Sequence, residues 1–160
     1  MLVPHWAKDI PKYALFNARS EDAAKKPAFR DAFKWGRCLI PANGYYEWTK
    51  ADDGGKDPHL IHLPDHELFG FAGLWARNEK LGFLSGTILT AAADPTIEHL
   101  LHRVPVILDR EAWDGWLDVH GVEVSDAQTL LAHNRGADHV SYCVGRAVNS
   151  SRAEGPELIE

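Results

Sequence analysis

The chain has 160 residues and a formal net charge of −6 at neutral pH, and 45% of its residues are hydrophobic. This length and composition predict one globular domain with its own core, and they exclude a disordered or fibrous chain. No apolar run reaches the length of a membrane span, the first ten residues do not resemble a signal peptide, and two cysteines do not suggest a disulfide framework. A cytoplasmic protein without membrane contact is therefore expected.

The charge is distributed unevenly along the sequence. Residues 1–50 carry nine Lys or Arg against five Asp or Glu, a net of +4, whereas the remainder carries eight against eighteen, a net of −10. Phosphate binding requires a local basic surface rather than a basic average, so the acidic total does not exclude nucleic acid. An ordinary solvated surface explains the same asymmetry equally well.

The predicted elements alternate short strands with short helices. In chain order, residues 27–35 suggest a helix that Gly36 ends, residues 41–44 a turn, 45–48 a strand, 52–58 a hairpin loop, and 68–75 and 84–92 two further strands. Residues 94–101 suggest a helix capped by Asp94, and residues 104–108 suggest an extended segment. Two more helices are expected after Asp109 and Ser125, and residues 140–144 suggest a last strand. This pattern predicts an α+β fold, mainly antiparallel β in barrel-like mixed sheets with a few short helices.

Glu47 is the first candidate for chemistry, because it stands among three aromatic residues in the sequence Tyr-Tyr-Glu-Trp at 45–48. In a strand, Tyr45 and Glu47 share one face while Tyr46 and Trp48 share the other. Aromatic surface removes water from a carboxylate, which raises its pKa and suits it to proton transfer near neutral pH. The alternative is a Glu on the wet face of a half-buried strand.

Two further polar groups adjoin apolar segments. Asn17 follows the apolar run 13–16, where it can orient a ligand through its donor and acceptor or simply form an Asx turn. His102 ends the predicted helix 94–101, and a helix C-terminus favours protonated imidazole, as a general acid requires. A structural role for His102 is the alternative. Arg103, next to it, could hold a phosphate.

Histidines and cysteines offer weaker candidates. His59, His62 and His66 lie close in sequence, but a strand places the first two on opposite faces and no ligand motif supports them, so a metal site has little support. We expect both thiols, Cys38 and Cys143, to pack as small hydrophobic groups.

Taken together, several segments resemble the SRAP family, the SOS response-associated peptidases. The Leu-Val-Pro-His-Trp segment at 2–6, the Asn-Ala-Arg-Ser-Glu segment at 17–21 and the Arg-to-Trp segment at 37–48 each resemble a motif of that family. Residues 71–75, 87–90, 102–108, 148–149 and 156–159 resemble further family segments, in the same order. The resemblance extends over nearly all of residues 1–160 and indicates one SRAP-like domain.

The resemblance implies a protein that binds single-stranded DNA at abasic sites. In family members an N-terminal Cys, exposed when the initiator Met is removed, condenses with the sugar aldehyde to close a thiazolidine and so crosslinks the protein to DNA. It implies that Asn17 positions the amine or sugar, that Glu47 is the acid/base, and that His102 protonates the sugar oxygen. It also implies that Arg19 and Arg103 bind phosphates and that bases stack on Trp6 and Trp48. We also expect a monomer that uses no cofactor and no metal.

One departure from the family bears on this chemistry. The printed sequence begins Met-Leu within what resembles an internal family segment, and the family's Met-Cys-Gly-Arg opening does not occur in it. Neither Cys38 nor Cys143 carries a free α-amine, so we expect this chain, as printed, not to form the thiazolidine. Two alternatives to an abasic-site processing protein are a noncatalytic single-strand DNA-binding module and a metal-dependent hydrolase using the three clustered histidines.

Overall fold

Two β-sheets form the framework of the protein in the computed structural model, which describes residues 1–12 and 16–160. The strands are β1 (Asn17–Arg19), β2 (Arg37–Ala42), β3 (Tyr45–Lys50), β4 (Lys56–His62), β5 (Phe69–Asn78), β6 (Phe83–Ala92), β7 (Arg103–Pro105) and β8 (Val140–Cys143). The helices are short: α1 (Ser20–Ala23), α2 (Arg30–Trp35), α3 (Trp113–Leu117) and α4 (Val124–Leu130), with 3₁₀ turns at Pro64–His66, Arg110–Ala112, Gly136–Asp138, Arg146–Asn149 and Pro156–Ile159. Most of the apolar run expected before Asn17 lies outside the described residues.

The larger sheet has the strand order β1-β6-β5-β2, with β7 also paired to β6, and the smaller has the order β3-β4-β8. Within the described residues every ladder is antiparallel except β1 with β6, which is parallel. The α+β prediction with mainly antiparallel strands is confirmed. The two sheets stay separate and do not close into a barrel.

Apolar residues pack on both faces of the larger sheet. Phe33 of α2 and Trp116 of α3 meet edge to face at 5.6 Å between ring centroids and pack with Leu74 and Leu89 on the helical side. On the other side, Phe71 of the larger sheet meets Tyr45 of the smaller one at 5.7 Å, again edge to face. This second contact fixes where β3 lies relative to the larger sheet.

Arg37 is a buried anchor rather than part of a basic surface. Only 3% of it is exposed, and its guanidinium donates to the carbonyls of Trp116 (2.7 Å), Phe33 (3.3 Å), Asp118 (2.7 Å) and Val122 (3.1 Å). These bonds join the start of β2 to α2 and to the segment between α3 and α4. The net charge of +4 counted for residues 1–50 therefore includes at least one positive group, the Arg37 guanidinium, that is not accessible at the surface.

The strands predicted at 68–75, 84–92 and 140–144 are confirmed, as are the helices ending at Gly36 and containing Trp113 and Trp116. The helix predicted at 94–101 is wrong. Asp94 does accept from the amide of Thr96 at 3.0 Å, but the segment forms separate turns about the carbonyls of Asp94 and Ile97. The turn predicted at 41–44 is shorter than expected, because Pro41 continues β2 opposite Gly70. No helix among the described residues is both long and apolar enough to cross a bilayer.

Candidate functional site

A cavity of about 270 Å³ opens where the two sheets meet. Its lining comes from four strands and brings together polar residues that are distant in sequence: Asn17, Arg19, Glu47, Thr90, Arg103 and Pro105. Four of these were selected from the sequence alone. The smaller sheet contributes only Glu47, and the larger sheet contributes the rest.

The larger sheet presents Asn17 and Arg19 side by side because strand residues alternate between faces. Ala18 between them is 2% exposed and packs into the helical core, so both polar neighbours point toward the cavity. Parallel pairing sets Arg19 beside Thr90 of β6, and Thr90 in turn pairs with Pro105 of β7. The floor of the cavity is thus fixed by the backbone ladder rather than by mobile loops.

Glu47 reaches the cavity from the β3–β4 hairpin, where it stands opposite His59. Tyr45, two residues earlier on the same face, packs against Phe71 and so holds this face of β3 toward the larger sheet. Burial raises the pKa of Glu47, and the backbone amide of Trp48 acts weakly in the opposite direction. The pKa of this carboxyl is therefore shifted in the direction expected from the sequence, and the cause is burial at the junction of the two sheets.

Arg103 lies at the cavity but is held by neighbouring groups. Its two terminal nitrogens donate to the carboxylate of Glu21 at 3.1 and 2.8 Å, while Nε and Nη2 donate to the hydroxyl and carbonyl oxygens of Thr90 at 3.3 and 2.6 Å. The guanidinium lowers the pKa of Glu21 mainly through this hydrogen bond. The guanidinium of Arg103 could bind a phosphate, but the carboxylate of Glu21 competes for the same N–H donors.

His102 does not line the cavity with the other candidates. It is exposed, it lies in a bend just before β7, and its carbonyl accepts from the amide of Ala93 at 3.1 Å. Because residues 94–101 form turns rather than a helix, the helix C-terminus expected to favour a protonated imidazole is not present. Its predicted role as an acid therefore has no support from local geometry.

The two tryptophans proposed to stack bases lie away from the cavity. Trp48 points to the opposite face of β3 from Glu47, donates from Nε1 to Asn149 at 2.6 Å, and borders a separate cavity with Lys56. Trp6 is 53% exposed on the N-terminal segment, whose carbonyls at Pro4 and Ala7 accept from the side chain of Asn78. Neither indole is among the groups that border Glu47.

The clustered histidines are engaged in other contacts. His59 lies 3.0 Å from the hydroxyl of Thr49, and the rings of His62 and His66 stack at 4.0 Å. Across residues 1–12 and 16–160, no three His, Cys, Asp or Glu side chains are grouped as a metal site would require.

The prediction for the two thiols holds for only one of them. Cys38 packs against the backbone of β5 at Gly73, and burial raises its pKa to about 11. Cys143 is exposed at the edge of the smaller sheet, so its predicted packing role is wrong. Among the described residues its strand pairs only with β4, and this side chain lies at the surface.

Three residues at the site were not selected from the sequence. Glu21 is the last residue of the 17–21 motif, and Thr90 is the last residue of the 87–90 segment. Both therefore lie in segments that resemble the family, but no role could be argued for either from its neighbours. Pro105 lies in the segment after His102. The alternation within β7, which turns Arg103 and Pro105 to one face, was the available clue.

Comparison with known proteins agrees with this arrangement of motifs. The model of the SOS response associated peptidase (SRAP) family matches residues 1–151. The chain belongs to the SRAP family. It is 38% identical to the abasic site processing protein YoqW of Bacillus subtilis over 99% of its own length and 73% of that protein.

More distant relatives and a solved structure extend the likeness. The abasic site processing protein YedK of Escherichia coli is 32% identical over 98% of this SRAP chain and 70% of that protein. HMCES of Gallus gallus, also named an abasic site processing protein, is 32% identical over 99% of the chain and 54% of that protein. A crystal structure of a Bacteroides thetaiotaomicron protein superposes with a TM-score of 0.83 at 25% identity, covering 99% of this chain and 73% of that one.

Proposed function

We propose that this SRAP protein recognises abasic sites in single-stranded DNA and processes them at the cavity between its two sheets. One observation carries the proposal: strands of both sheets bring the residues of two family motifs, Asn17, Arg19 and Glu47, to a single cavity. The names of the curated relatives, each an abasic site processing protein, give the class of substrate. We expect the protein to act as a monomer in the cytoplasm.

The residues suit a sugar that has lost its base. Asn17 carries a donor and an acceptor, which allows it to orient a sugar hydroxyl or aldehyde oxygen. Arg19 supplies a charge on the same face of β1, where a phosphate adjoining the abasic sugar would lie. Glu47, with its raised pKa, retains a proton to higher pH than an exposed Glu and can exchange it with the sugar.

Recognition is tested with fluorescently labelled single strands that differ only by one central tetrahydrofuran residue, a stable analogue of the abasic sugar. We expect tighter binding to the strand with the analogue, and weaker binding after Asn17→Ala or Arg19→Ala. Leu117→Ala, at an exposed residue of α3, is the control and should bind as the parent does. Equal affinity for the two strands would contradict abasic-site recognition.

The role of Glu47 is tested with a natural abasic site, which is reactive. Glu47→Gln keeps the shape of the side chain but cannot exchange a proton. We expect it to bind the strand and to lose the pH-dependent formation of strand breaks, which denaturing gel electrophoresis measures. Processing at the parent rate and with the parent pH profile would refute this role. Binding without processing in the parent protein would instead identify the noncatalytic binding module.

A further inference from the structure

Two side chains in contact with each other carry buried polar atoms that the fold leaves unpaired. In the described part of the chain, three such atoms have no hydrogen-bond partner: the hydroxyl oxygen of Tyr45 and both ring nitrogens of His139. The two rings meet edge to face, with 5.9 Å between their centroids. Native proteins satisfy groups of this kind with another side chain or an internal water, because an unpaired buried donor or acceptor costs free energy. Tyr45 and His139 therefore share one buried polar site.

This polar site adjoins Glu47 on the inner face of the smaller sheet. Tyr45 and Glu47 are two residues apart in β3, so they share a face and lie about 7 Å apart along the strand. Glu47 lines the candidate cavity, whereas the ring of Tyr45 packs on Phe71 of the larger sheet at 5.7 Å. The polar site is thus next to the carboxyl but outside the lining of the cavity.

Burial keeps both groups of the polar site in their neutral forms. It raises the pKa of Tyr45, with a smaller contribution from the charge of Glu47, and it lowers the pKa of His139 against the opposing charges of Asp138 and Asp94. A neutral imidazole has one donor and one acceptor nitrogen, so it can release a proton on one side and take one up on the other.

His139 connects the polar site to the surface. Asp138, the preceding residue, is exposed and accepts from Nε of Arg135 at 3.0 Å. Asp94 accepts from the amide and the hydroxyl of Thr96 at 3.0 and 2.9 Å, also at the surface. Both carboxylates act on the imidazole. The ring therefore lies between a buried hydroxyl and solvated carboxylates, as a path for protons between solvent and the interior requires.

We propose that Tyr45 and His139 are positioning residues for Glu47, which hold one internal water and carry protons between Glu47 and solvent while DNA fills the cavity. The proposal rests on the proposed function. A strand bound at the cavity would separate the carboxyl from bulk water. A second route then allows the carboxyl to regain the proton that it gives to the sugar.

The transfer conserves every proton. Glu47 gives its proton to the sugar, and its carboxylate takes the proton of the Tyr45 hydroxyl. In the same step the hydroxyl oxygen takes a proton from the water, the water takes one from the donor nitrogen of His139, and the other ring nitrogen takes one from solvent. No phenolate is released, in agreement with the raised pKa of Tyr45. Exchange with solvent restores the first tautomer of the imidazole.

The path is tested by the rate of strand-break formation on a labelled single strand with one natural abasic site. Tyr45→Phe keeps the ring and removes the hydroxyl, and His139→Ala removes the imidazole. We expect both variants to bind a tetrahydrofuran strand as the parent does and to form strand breaks at least about fivefold more slowly. His133→Ala, which removes an exposed histidine, is the control and should react at the parent rate.

Added imidazole separates proton transfer from packing. In His139→Ala it can occupy the space of the missing ring and pass protons, whereas pyrrole has the same shape but no acceptor nitrogen. We expect imidazole, and not pyrrole, to restore most of the lost rate in this variant, and neither to affect Tyr45→Phe. Equal recovery with pyrrole would show that the ring only fills space, and this would overturn the path.

Other outcomes separate the path from the proposed function. If Glu47→Gln loses strand-break formation but Tyr45→Phe and His139→Ala react as the parent does, the path is refuted and the proposed function stands. If the parent forms no strand breaks, or Glu47→Gln forms them at the parent rate, the role of Glu47 fails and the path fails with it. Circular dichroism melting shows that each variant is folded. A loss of strand affinity that matches the loss of rate identifies a structural role and also overturns the path.

Discussion

At the scale of single residues, strand alternation decides which groups can do chemistry. Glu47 and Trp48 are neighbours in the sequence, yet one lies in the cavity between the sheets and the other bonds to Asn149 on the opposite surface. Burial on the cavity side raises the pKa of the carboxyl, whereas the indole keeps a solvent-exposed edge. The candidate site therefore depends on the register of β3, since a shift by one residue would exchange these two side chains.

The raised pKa of Glu47 predicts a pH-dependent effect on stability. Between the unfolded and folded pKa values the folded protein binds more protons, so this group lowers the free energy of unfolding as the pH rises through that interval. Glu47→Gln cannot ionise, and we expect its gain in stability over the parent to be larger near pH 7 than near pH 4. Urea denaturation at the two pH values measures this. A gain in stability that is equal at pH 7 and pH 4 would show that the pKa of the Glu47 carboxyl is not raised in the folded protein.

The two thiols should differ in reactivity. Burial raises the pKa of Cys38 to about 11, so its reactive thiolate is scarce at neutral pH, whereas Cys143 is exposed. We expect one thiol per chain to react rapidly with a chromogenic disulfide reagent, and the second only in denaturant. Cys143→Ser should abolish the rapid phase. A rapid phase that persists in this variant would place Cys38 at the surface.

Local sequence led to candidates that the structure brings to the cavity and to one that it places elsewhere. Asn17 and Glu47 were identified because each follows or interrupts an apolar segment, and strand alternation then carries them to the cavity. The argument for His102 from a helix C-terminus does not hold, because Asp94 and Ile97 close separate turns. Its position in the 102–108 segment, which resembles the family, is a separate argument, and its role stays a prediction. Arg37 was counted with the basic residues, since nothing in its neighbours reveals that four carbonyls would surround it.

At the scale of elements, the junction between α2 and β2 is set by a close backbone contact. A Cβ at Gly36 would overlap the carbonyl oxygen of Trp75, while the amide of Trp75 donates to the carbonyl of Gly36 at 2.7 Å. Glycine thus allows β5 to run directly beside the end of α2.

Gly36→Ala should therefore be destabilising. Because the overlap is with backbone rather than with a flexible side chain, we expect the free energy of unfolding to fall by about 1–3 kcal/mol or more. Gly145→Ala is the matched control: its φ is −59° and nothing lies within 4 Å of the added Cβ, so it should change stability by less than about 1 kcal/mol. Equal melting temperatures for the two variants would contradict the close contact.

The long, strongly patterned strands were predictable, and the pairing between distant strands was not. β5 and β6 follow from continuous apolar and glycine-containing runs, and their ends fall close to the expected positions. The parallel ladder of β1 with β6 depends on contacts between segments far apart in sequence, for which local periodicity contains no signal. The position of Arg19 beside Thr90, and with it the shape of the cavity, could only come from the structure.

At the scale of the whole molecule, an acidic protein is expected to bind a polyanion through a few local charges. Arg103 and Glu21 form a bidentate pair at the rim of the cavity, with 31% and 53% of their side chains exposed. A surface pair of this kind contributes at most about 1 kcal/mol to stability. We expect its larger effect to be on DNA binding, because Glu21 would repel a phosphate and already occupies the guanidinium of Arg103.

Glu21→Gln should accordingly strengthen binding to single-stranded DNA severalfold while changing stability little. The freed Arg103 should also make binding more sensitive to salt, with a slope steeper by about one phosphate contact. Glu67→Gln is the control, since it removes the same charge from another arginine pair, 2.7 Å from Arg135. If both variants bind single-stranded DNA more tightly by the same factor, the change in net charge alone is responsible and the Arg103–Glu21 pair has no special effect.

The parallel pairing of β1 with β6 also has a kinetic consequence. The β3–β4 hairpin that carries Glu47 closes a short loop, whereas β1 and β6 join residues 17–19 to residues 88–90. Pairing between distant segments is slow because much of the chain must be ordered first. The hairpin is therefore expected to form before Asn17 and Arg19 arrive beside it. In refolding experiments, the capacity to bind an abasic strand should appear with the slowest phase, after most of the tryptophan fluorescence has changed.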